Sequence, residues 1–577
     1  MAESKPHEHS IVWMTGSYKA RDLLLKRAII REGLSKLTET TVEFQCKNKA
    51  VKLDQIVGQT MNLHVMTDDG TDQKYSGLCI SVENLGMRDG YGHYVAEVRP
   101  WFWLLTRTQD CRVFQNLTVV DIIEQLFNEH GFSDFRNRLS GSYESREYCL
   151  QYRESDFDFI CRLMEEEGIY YYFDSTSDKN APEKLQLCDG VSGHSPISGT
   201  STVEFHARDD ADRRRKDHIA EWGREETLTR GKVTLNDFDF LSPSADLKVN
   251  NKIEKGSHNH KSFEVYDYPG HYRKETGVGD TQARVRMEAE AIRHKRWRGA
   301  SSVRGLATGY TFKMKNHPEK DANAEYLVVD SVHYLQVAGD FSERESQKRR
   351  PQNSGEMRHD LKAANMDFPE EMKGDAYSST FGAIPKQDQY RAPLTTPWPE
   401  ISGLHTAIVT GPAGDEIWTN EHGQIKVQFH WDREGKSDEK SSCFVRVVTP
   451  WSGKGWGMVA VPRIGQEVVI QFEEGDPDRP ICTGMLYNKD TMPPYNYPDD
   501  QTQMGFKTNS SKGGGGYNEW MFEDKKDAEL MRVQAQKDHQ MLVKNKSVET
   551  IGLDEIDAGA HDEDGCVSRV VKQHVTE

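Results

Sequence analysis

Three consecutive carboxylates, Glu165, Glu166 and Glu167, precede Gly168 and three tyrosines in the stretch QYRESDFDFICRLMEEEGIYYYF. Side chains of this type at this spacing suit general acid/base catalysis or a metal cup. They are also typical of the solvated end of a helix that only holds a shape. The residues on either side favour this second interpretation.

Ser155 and Asp158, three residues apart, fit a capping box, which starts a helix by satisfying free backbone amides. Gly168 supplies the left-handed residue that ends the helix. The upstream stretch from Thr118 to Gly131 repeats this pattern at the same spacing. A helix phased on its apolar side chains carries its polar ones outward, as we expect of Asp158, Arg162, Glu165 and Glu166.

A second group of acids, Glu473, Glu474, Asp476 and Asp478, lies in a Gly/Pro turn. A glycan hydrolase needs two carboxylates that flank the scissile bond across a cleft. Nothing in the sequence places this group across a cleft, and no nucleophile elbow, P-loop or zincin helix is present. We therefore predict no catalytic residue and no cofactor.

Metal ligands are a further possibility, since two His-x-His pairs occur, at His7/His9 and His258/His260. No third histidine or carboxylate stands at ligand spacing beside either pair. The nine cysteines are scattered without a CxxC pair, which is typical of reduced thiols. We predict no metal site and no disulfide framework.

The composition limits the class of protein. A chain of 577 residues exceeds one hydrophobic core and should split into several domains. The net charge of -18 argues against a nucleic-acid partner, because such binders cluster Lys and Arg. No apolar run reaches the roughly 18 residues of a membrane span. The N-terminus MAESKPHEHS resembles no signal peptide, so we expect synthesis and folding in the cytoplasm.

Short strands separated by turn signals dominate the chain, which predicts a mainly β fold with inserted helices. Two β-rich sets suggest barrels over residues 1–200, with the two capped helices inserted, and over 201–350, with a long helix from Asp280 to Trp297. Residues 351–390 are polar and broken by Pro and Gly, which predicts a linker. Predicted strands in the first set include TTVEFQC, TMNLHVMT, KYSGLCISVENL and HYVAEVRPWFWLL.

Residues 391–497 contain the short strands TAIVTG, QIKVQFHW, CFVRVVT, GMVAVP and EVVIQFEEG, which predict a closed barrel of the OB type. Tryptophans in such a barrel can stack nucleic-acid bases, but in this acidic block we expect them to pack in the core or between subunits. The residues expected to define the barrel are Trp418, Gly423, Trp431, Trp451, Trp456, Pro462, Gly465, Asp476 and Pro477.

Residues 498–516, which include SSKGGGG, predict a flexible joint before a tail over 517–577. An eight-residue repeat in the tail is typical of a strand-and-turn winding that turns one small apolar side chain inward on each pass. One chain so patterned buries too little apolar surface, so we predict that three copies wind together; a disordered polar tail is the alternative. The predicted inward positions are Ala535, Val543, Ile551, Gly559, Val567 and Val575.

Long motifs resemble VgrG, the valine-glycine repeat spike of the bacterial type VI secretion system. The resemblance covers about residues 15–553. It implies two hub-like barrels as a base, an OB neck and the start of a trimeric intertwined β-helix needle, related to the hub and spike of a contractile phage tail. The motifs are ESDFDFICRLMEEEGIYYYF, EVYDYPGHY, DEIWTNEHGQIKVQFHWDREG, SSCFVRVVTPWSGKGWG and VPRIGQEVVIQFEEGDPDRPICTGMLYN.

The resemblance also implies partners. The homotrimer would cap the Hcp tube and contact baseplate components, and its needle tip would carry a PAAR-repeat protein. Effectors, with or without a chaperone, would ride on the assembly. Sheath contraction would drive the spike through a target envelope, so it would be cytoplasmic until fired, touch the target membrane transiently and then be secreted.

Two features depart from phage spikes. A lysozyme-like domain can follow the OB barrel there, but only about 20 residues separate Tyr497 from Tyr517 here, too few for a domain. The chain also ends two residues after Val575, in mid-pattern. We expect either a short, irregular needle or the front part of a longer protein. A phage-type baseplate spike with cell-wall glycan hydrolase activity is the alternative function.

Overall fold

The chain folds into a β-rich base, a small barrel and a terminal segment of exposed strands. The computed structural model describes residues 10–17, 23–47, 51–88, 90–174, 183–207, 216–272, 276–337, 375–553, 555–556 and 567–571. In chain order the strands of the base are β1 (Val12–Gly16), β2 (Leu23–Gly33), β3 (Glu39–Cys46), β4 (Thr60–Met66), β5 (Asp72–Arg88), β6 (Tyr91–Arg99), β7 (Gln109–Phe114), β8 (Phe135–Arg138), β9 (Cys149–Ser155), β10 (Tyr170–Asp174), β11 (Lys184–Cys188), β12 (Ser195–Pro196), β13 (Thr202–Glu204), β14 (Ile219–Glu226), β15 (Lys232–Leu235), β16 (Val249–Lys252), β17 (Glu264–Asp267), β18 (Lys295–Ser301), β19 (Tyr310–Lys315), β20 (Glu325–Gln336) and β21 (Tyr377–Pro385).

A sheet of thirteen strands frames the base. Its main path runs β1-β4-β5-β6-β3-β2-β20-β21-β18-β14, and β12 and β13 join it through β19. Antiparallel pairing of β2 with β20, with Ile29 opposite Tyr334, links the two predicted barrels into one continuous sheet. One apolar core gathers around Phe44 and another around Trp222. The mainly β prediction is confirmed.

The predicted linker over 351–390 is wrong for its last part. Tyr377–Pro385 forms β21, which pairs with β20 on one side and β18 on the other. Hydrogen bonding on both edges overrides the weak strand preference of the serines and glycine in this stretch. Residues 351–374 lie outside the described part of the chain.

The two capped helices form as predicted, as α1 (Val119–Glu129) and α2 (Asp156–Glu167). Thr118 completes a reciprocal capping box at α1. The hydroxyl of Ser155 accepts the amide of residue 158 at 3.0 Å, and Gly168 ends α2 at φ 73°. Both helices pack into a core of their own with β10 and β11.

Two predicted boundaries in the base are wrong. The strand HYVAEVRPWFWLL ends at Arg99, and Trp101–Arg107 forms a 3-10 helix because Phe102 and Leu105, three residues apart, fill the helical core together. The long helix is α3 (Thr276–Ala291) and does not extend to Trp297. Trp297 lies on β18, which pairs with β14 on one side and β21 on the other, and this pairing ends the helix before it. Its indole stacks on that of Trp222 at 5.3 Å.

The strands of the small barrel region are β22 (His405–Thr410), β23 (Lys426–Phe429), β24 (Arg446–Val447), β25 (Ser452–Gly453), β26 (Trp456–Gly457), β27 (Glu467–Phe472) and β28 (Pro480–Leu486). Five of them form one sheet in the order β23-β22-β27-β28-β24, and the pairing of Ile425 with Val445 joins its two ends. The predicted strand GMVAVP is wrong, because residues 458–462 form none. The strand that begins at Pro480 was not predicted; its proline stands at the first residue, where a strand tolerates it.

The terminal segment contains a three-stranded antiparallel sheet and one parallel pair. These strands are β29 (Gln503–Lys507), β30 (Glu519–Glu523), β31 (Leu530–Gln534), β32 (Ser547–Ile551) and β33 (Val567–Val571). The predicted joint over 498–516 therefore contains a strand. Its glycine-rich part is also anchored, because Lys512 lies 3.0 Å from Asp415 and the amide of Gly513 donates to Glu416 at 2.7 Å.

Within the described residues, none of the helices has the length and apolar character that a bilayer crossing requires.

Candidate functional site: the base–barrel junction and the exposed apolar surfaces

The carboxylate run that ends α2 lies buried in the junction between the base and the small barrel. The expectation that Glu165, Glu166 and Arg162 point outward is therefore wrong, and only Asp158 of that set is exposed. The apolar side of α2 fills the helical core, while its polar side is covered by Arg146 and by the chain that enters the small barrel.

Glu165 fastens the start of the small barrel to the base. Its carboxylate accepts the backbone amides of Thr395 and Thr396 at 2.9 and 3.0 Å, and the hydroxyls of the same residues at 3.2 and 2.8 Å. Four donors satisfy both oxygens, and hydrogen bonds to an ionised carboxylate are stronger than neutral ones. This geometry gives Glu165 a structural role.

Glu166 and Glu167 share Arg146, whose guanidinium lies 2.8 and 2.6 Å from their carboxylates. Burial works to raise the pKa of Glu166, but the charges of Arg146 and His271 hold it below its ordinary value. Burial raises the pKa of Glu167 above its ordinary value. The cluster is an ion-pair network inside the fold, so the general acid/base interpretation finds no support in it.

The acidic turn after β27 binds two further parts of the base. The Arg479 guanidinium donates to both carboxylate oxygens of Asp237, at 2.8 and 2.6 Å, and both side chains are almost fully buried. The Asp478 carboxylate accepts the backbone amide of Leu150 at 2.7 Å. A glycan hydrolase would need two carboxylates of this turn free to react with substrate. The carboxylate of Asp478 is instead hydrogen-bonded to the base domain.

Asp476, which is buried while Asp478 is only partly so, pairs with His271 of the base at 3.1 Å. Burial works to raise the pKa of Asp476, but the hydrogen bond from His271 holds it below its ordinary value. Burial works to lower the pKa of His271, and the same bond raises it. Burial beside the charge of Asp476 raises the pKa of Asp478 to about 7. The turn is a docking element of the barrel.

A cleft of about 660 Å³ opens beside the junction, between the start of α2 and residues 397–400. Of its acids, Glu154 is held by Arg162 at 2.7 Å, and Asp158 bonds the Ser155 hydroxyl at 2.7 Å. Both carboxylates are thus bound by side chains of the fold, and Glu400 is the third acid that lines the cleft.

Most of the residues predicted to define the barrel pack within it or form its turns. Trp431 is partly buried, stacks on Phe429 at 4.9 Å and packs against the barrel core. Trp418 packs against Phe444 at 5.2 Å. The turn glycines Gly423 and Gly465 have φ of 70° and 89°, and the buried prolines are Pro462 and Pro477.

Two of the predicted barrel tryptophans lie outside the core. Trp451 and Trp456 are 64% and 57% exposed, and their rings meet edge to face at 5.0 Å on the hairpin β25–β26. The described residues thus show core packing for Trp431 but leave these two indoles on the surface of the single chain.

A metal centre finds no support among the described residues, where no group of three or more His, Cys, Asp and Glu is placed to hold an ion. The rings of His258 and His260 are 6.2 Å apart. His7 and His9 lie outside the described residues.

The terminal sheet β29–β31 leaves one face uncovered. Register places Phe506, Trp520 and Val533 in one row across the three strands. A second row beside it completes the face. On the opposite face the hydroxyl of Tyr495 lies over Gly505. A large apolar face on a single chain marks a contact surface. The members of the second row are Met504, Phe522 and Met531.

The predicted inward positions of the tail are only partly described. Val543 and Ile551 are 45% and 41% exposed in the single chain, and Ala535 is partly buried. The parallel pairing of β32 with β33 sets Ile551 opposite Val571, which is not an octad position. Val567 starts β33, but its side chain is not described, and Gly559 and Val575 lie outside the described residues. The octad core stays a prediction.

Several junction residues could not be identified from the sequence. Asp237 and Arg479 are 242 positions apart, and Glu165 and its partner Thr395 are 230 apart. Pairing over such distances depends on how domains dock. The dense charge in the turn around Asp476 is the one sequence feature that fits a polar contact with the base, and it was interpreted only as an acidic turn.

Family models match three parts of the chain. Residues 31–338 match the phage tail baseplate hub, and residues 415–487 match the type VI secretion system/phage-baseplate injector OB domain. Residues 504–577 match the bacteriophage T4 gp5 C-terminal trimerisation domain. The predicted order of hub, OB barrel and trimeric tail is confirmed at this level.

Among curated proteins, the chain is 38% identical over 537 residues to the type VI secretion system spike protein VgrG1b of Pseudomonas aeruginosa, covering 93% of this chain and 68% of that one. It is 39% identical over 532 residues to VgrG1a of the same organism, covering 92% and 78%. The predicted resemblance is confirmed.

Two solved structures share the fold. The Escherichia coli c3393 protein, described as a type VI secretion component similar to T4 tail proteins gp27 and gp5, matches with a TM-score of 0.56 at 18% identity over 82% of this chain and 99% of that one. The lidded Francisella PdpA-VgrG complex matches with a TM-score of 0.56 at 9% identity over 91% and 80%.

Proposed function

Because the chain belongs to the VgrG family of type VI secretion system spike proteins, we propose that three copies assemble into the spike and that their terminal segments form its needle. The observation that carries this proposal is the uncovered face of β29–β31. Phe506 and Trp520 are 60% and 49% exposed there, although each has apolar neighbours in register. Two further copies would cover that face and leave no free apolar edge.

The base would dock on the Hcp tube and baseplate, and the needle would carry a PAAR-repeat protein at its tip. Effectors, with or without a chaperone, would travel on the assembly. The spike would wait in the cytoplasm and be secreted on firing, with brief contact to the target membrane. The buried junction supports a mechanical role, since ion pairs and hydrogen bonds at three points of the base resist hinging of the barrel under axial load.

Negative-stain imaging of the full chain tests the assembly. We expect elongated three-fold particles with one broad end. Replacing Phe506 and Trp520 together with serine should shift the population toward single chains, because the needle face loses its two largest side chains. Compact single chains in the unmodified protein would contradict the proposal.

Binding of the base is tested separately with purified Hcp. The full chain should co-sediment with assembled Hcp tubes, and a detectable fraction should appear outside cells that fire the system. If the chain forms a trimer that does not co-sediment with Hcp tubes, the proposed trimer stands and the proposed docking on Hcp is refuted.

A further inference from the structure

One buried carboxylate of the base has no hydrogen-bond partner among the described residues. Glu183, directly before β11, is 3% exposed, and neither oxygen of its side chain accepts a hydrogen bond there. Buried polar groups in folded proteins are almost always hydrogen-bonded, and a buried charge without a partner is costly. The proposed spike function does not account for this side chain.

Glu183 lies where two sheets of the base meet. The charges that act on it come from Glu32 on β2, Lys74 on β5 and Asp174 at the end of β10. β2 and β5 belong to the thirteen-stranded sheet, whereas β10 and β11 form a three-stranded sheet with β8 that packs with the helices. The hydroxyl of Tyr310, on β19 of the large sheet, donates to Asp174 and so crosses the same contact.

The neighbouring acids differ from Glu183 because each of them has a donor. Glu32 accepts the hydroxyl of Ser331 at 3.2 Å, and Nε2 of His333 lies 3.0 Å from the same oxygen. Asp174 has the Tyr310 hydroxyl. Glu183 thus faces two carboxyl groups that are already bonded to other side chains. The further titratable groups beside Glu32 are Tyr75 and Tyr377.

These surroundings favour the neutral form of Glu183. Burial raises the pKa of Glu183 well above its ordinary value of 4.5, the charges of Glu32 and Asp174 raise it further, and Lys74 offsets them only in part. A neutral carboxylic acid leaves no uncompensated charge in the contact, so burying it costs much less than burying a carboxylate.

We propose that Glu183 makes the contact between the two sheets of the base depend on a proton: the contact is closed while Glu183 is neutral and loosens when it ionises. Because the pKa is raised in the folded chain, the stability gained from the proton is complete below about pH 4.5 and is lost as the pH rises toward the folded value. The base should therefore be held together most firmly in acidic surroundings. The proposal does not depend on the number of copies in the spike.

Amide hydrogen exchange of the full chain tests the proposal, with Glu183→Gln as a side chain of similar shape that cannot ionise. The exchange rate of residues 184–188 in wild type, divided by that in the variant at the same pH, should rise by up to about tenfold per pH unit above about pH 5. Glu325→Gln is the control, since this acid is exposed and pairs with Lys386 at 2.8 Å. The same ratio formed with the control should not change with pH.

Infrared difference spectra give a second readout that reports the proton itself. Wild type minus Glu183→Gln, and wild type minus Glu183→Leu, should each show the carbonyl band of a protonated carboxylic acid at neutral pH. Two reference variants are used so that the test does not depend on the folding of either one. A carboxylate band in place of the acid band, or an exchange ratio that does not change with pH, would overturn the proton-dependent contact and leave the proposed spike intact.

Discussion

Replacing Arg479 with methionine should loosen the junction between base and small barrel. The guanidinium makes two bonds to Asp237, at 2.8 and 2.6 Å, and lies 3.2 Å from Asp476. All three side chains are buried, so the variant leaves Asp237 without its cation and removes one of the two cationic partners of Asp476. Breaking one partner of a buried ion pair costs about 3–5 kcal/mol.

We expect the lower end of that range, about 3 kcal/mol, because His271 still pairs with Asp476 and two backbone amides still donate to Asp237. At about 1.4 kcal/mol per tenfold, this raises the local opening constant roughly a hundredfold. Amide hydrogen exchange should therefore speed up by that factor around residues 236–240 and 472–480. The strand β22 in the barrel core should keep its protection.

The matched control is Arg298→Met, which breaks a pair with Glu225 at 2.8 Å that is largely exposed. Its cost should stay below about 1 kcal/mol. Adding Asp237→Asn to the Arg479 variant should recover part of the loss, since the stranded charge is removed. Exchange at the junction that matches wild type in the Arg479 variant would show that this pair does not hold the barrel in place.

Three further predictions concern single features of the chain. Gly168→Ala should lower the free energy of unfolding by about 3 kcal/mol and Gly131→Ala by about 1 kcal/mol, measured by thermal unfolding. Both glycines have φ 73°, but only at Gly168 would the added Cβ lie 2.8 Å from Val285. Equal costs would refute the argument from crowding. Asp478→Asn should gain stability over wild type as pH rises from 4 to 7, by about 2 kcal/mol given the partial exposure of this residue. The pKa of Asp478 in the folded wild type, about 7, lies above its ordinary 3.8. The stability that the protonated Asp478 contributes to the wild type is therefore complete below about pH 4 and lost as the pH rises toward 7. A stability difference between variant and wild type that does not change with pH would contradict this assignment. Ending the chain after Tyr497 should lower the melting temperature of the assembled form, because the terminal segment buries its apolar face only between copies, and unchanged melting would show that this segment is not the clamp.

Local features of the sequence predicted local structure well. The caps at Thr118 and Ser155 and the stop at Gly168 each need only a few neighbouring residues, and all three form as expected. The OB barrel was predictable because its short strands alternate between turn signals, and the family motifs gave the order of the parts.

What the sequence did not reveal depends on distant contacts. The burial of Glu165 follows from Thr395, whose approach is decided by the docking of the barrel and not by the helix itself. The strand Tyr377–Pro385 looked like a linker because its small polar residues gain strand character only between two partners. The exposed Trp451 is a surface residue of one chain, and its role depends on copies that a single sequence does not display.

Sedimentation equilibrium of the intact chain at micromolar concentration tests the central claim most directly. Three copies that hide their terminal apolar faces from water should sediment as a single species of about three times the 65.9 kDa chain mass. A species of one chain mass, with the tryptophan on β30 still open to solvent, would contradict the account.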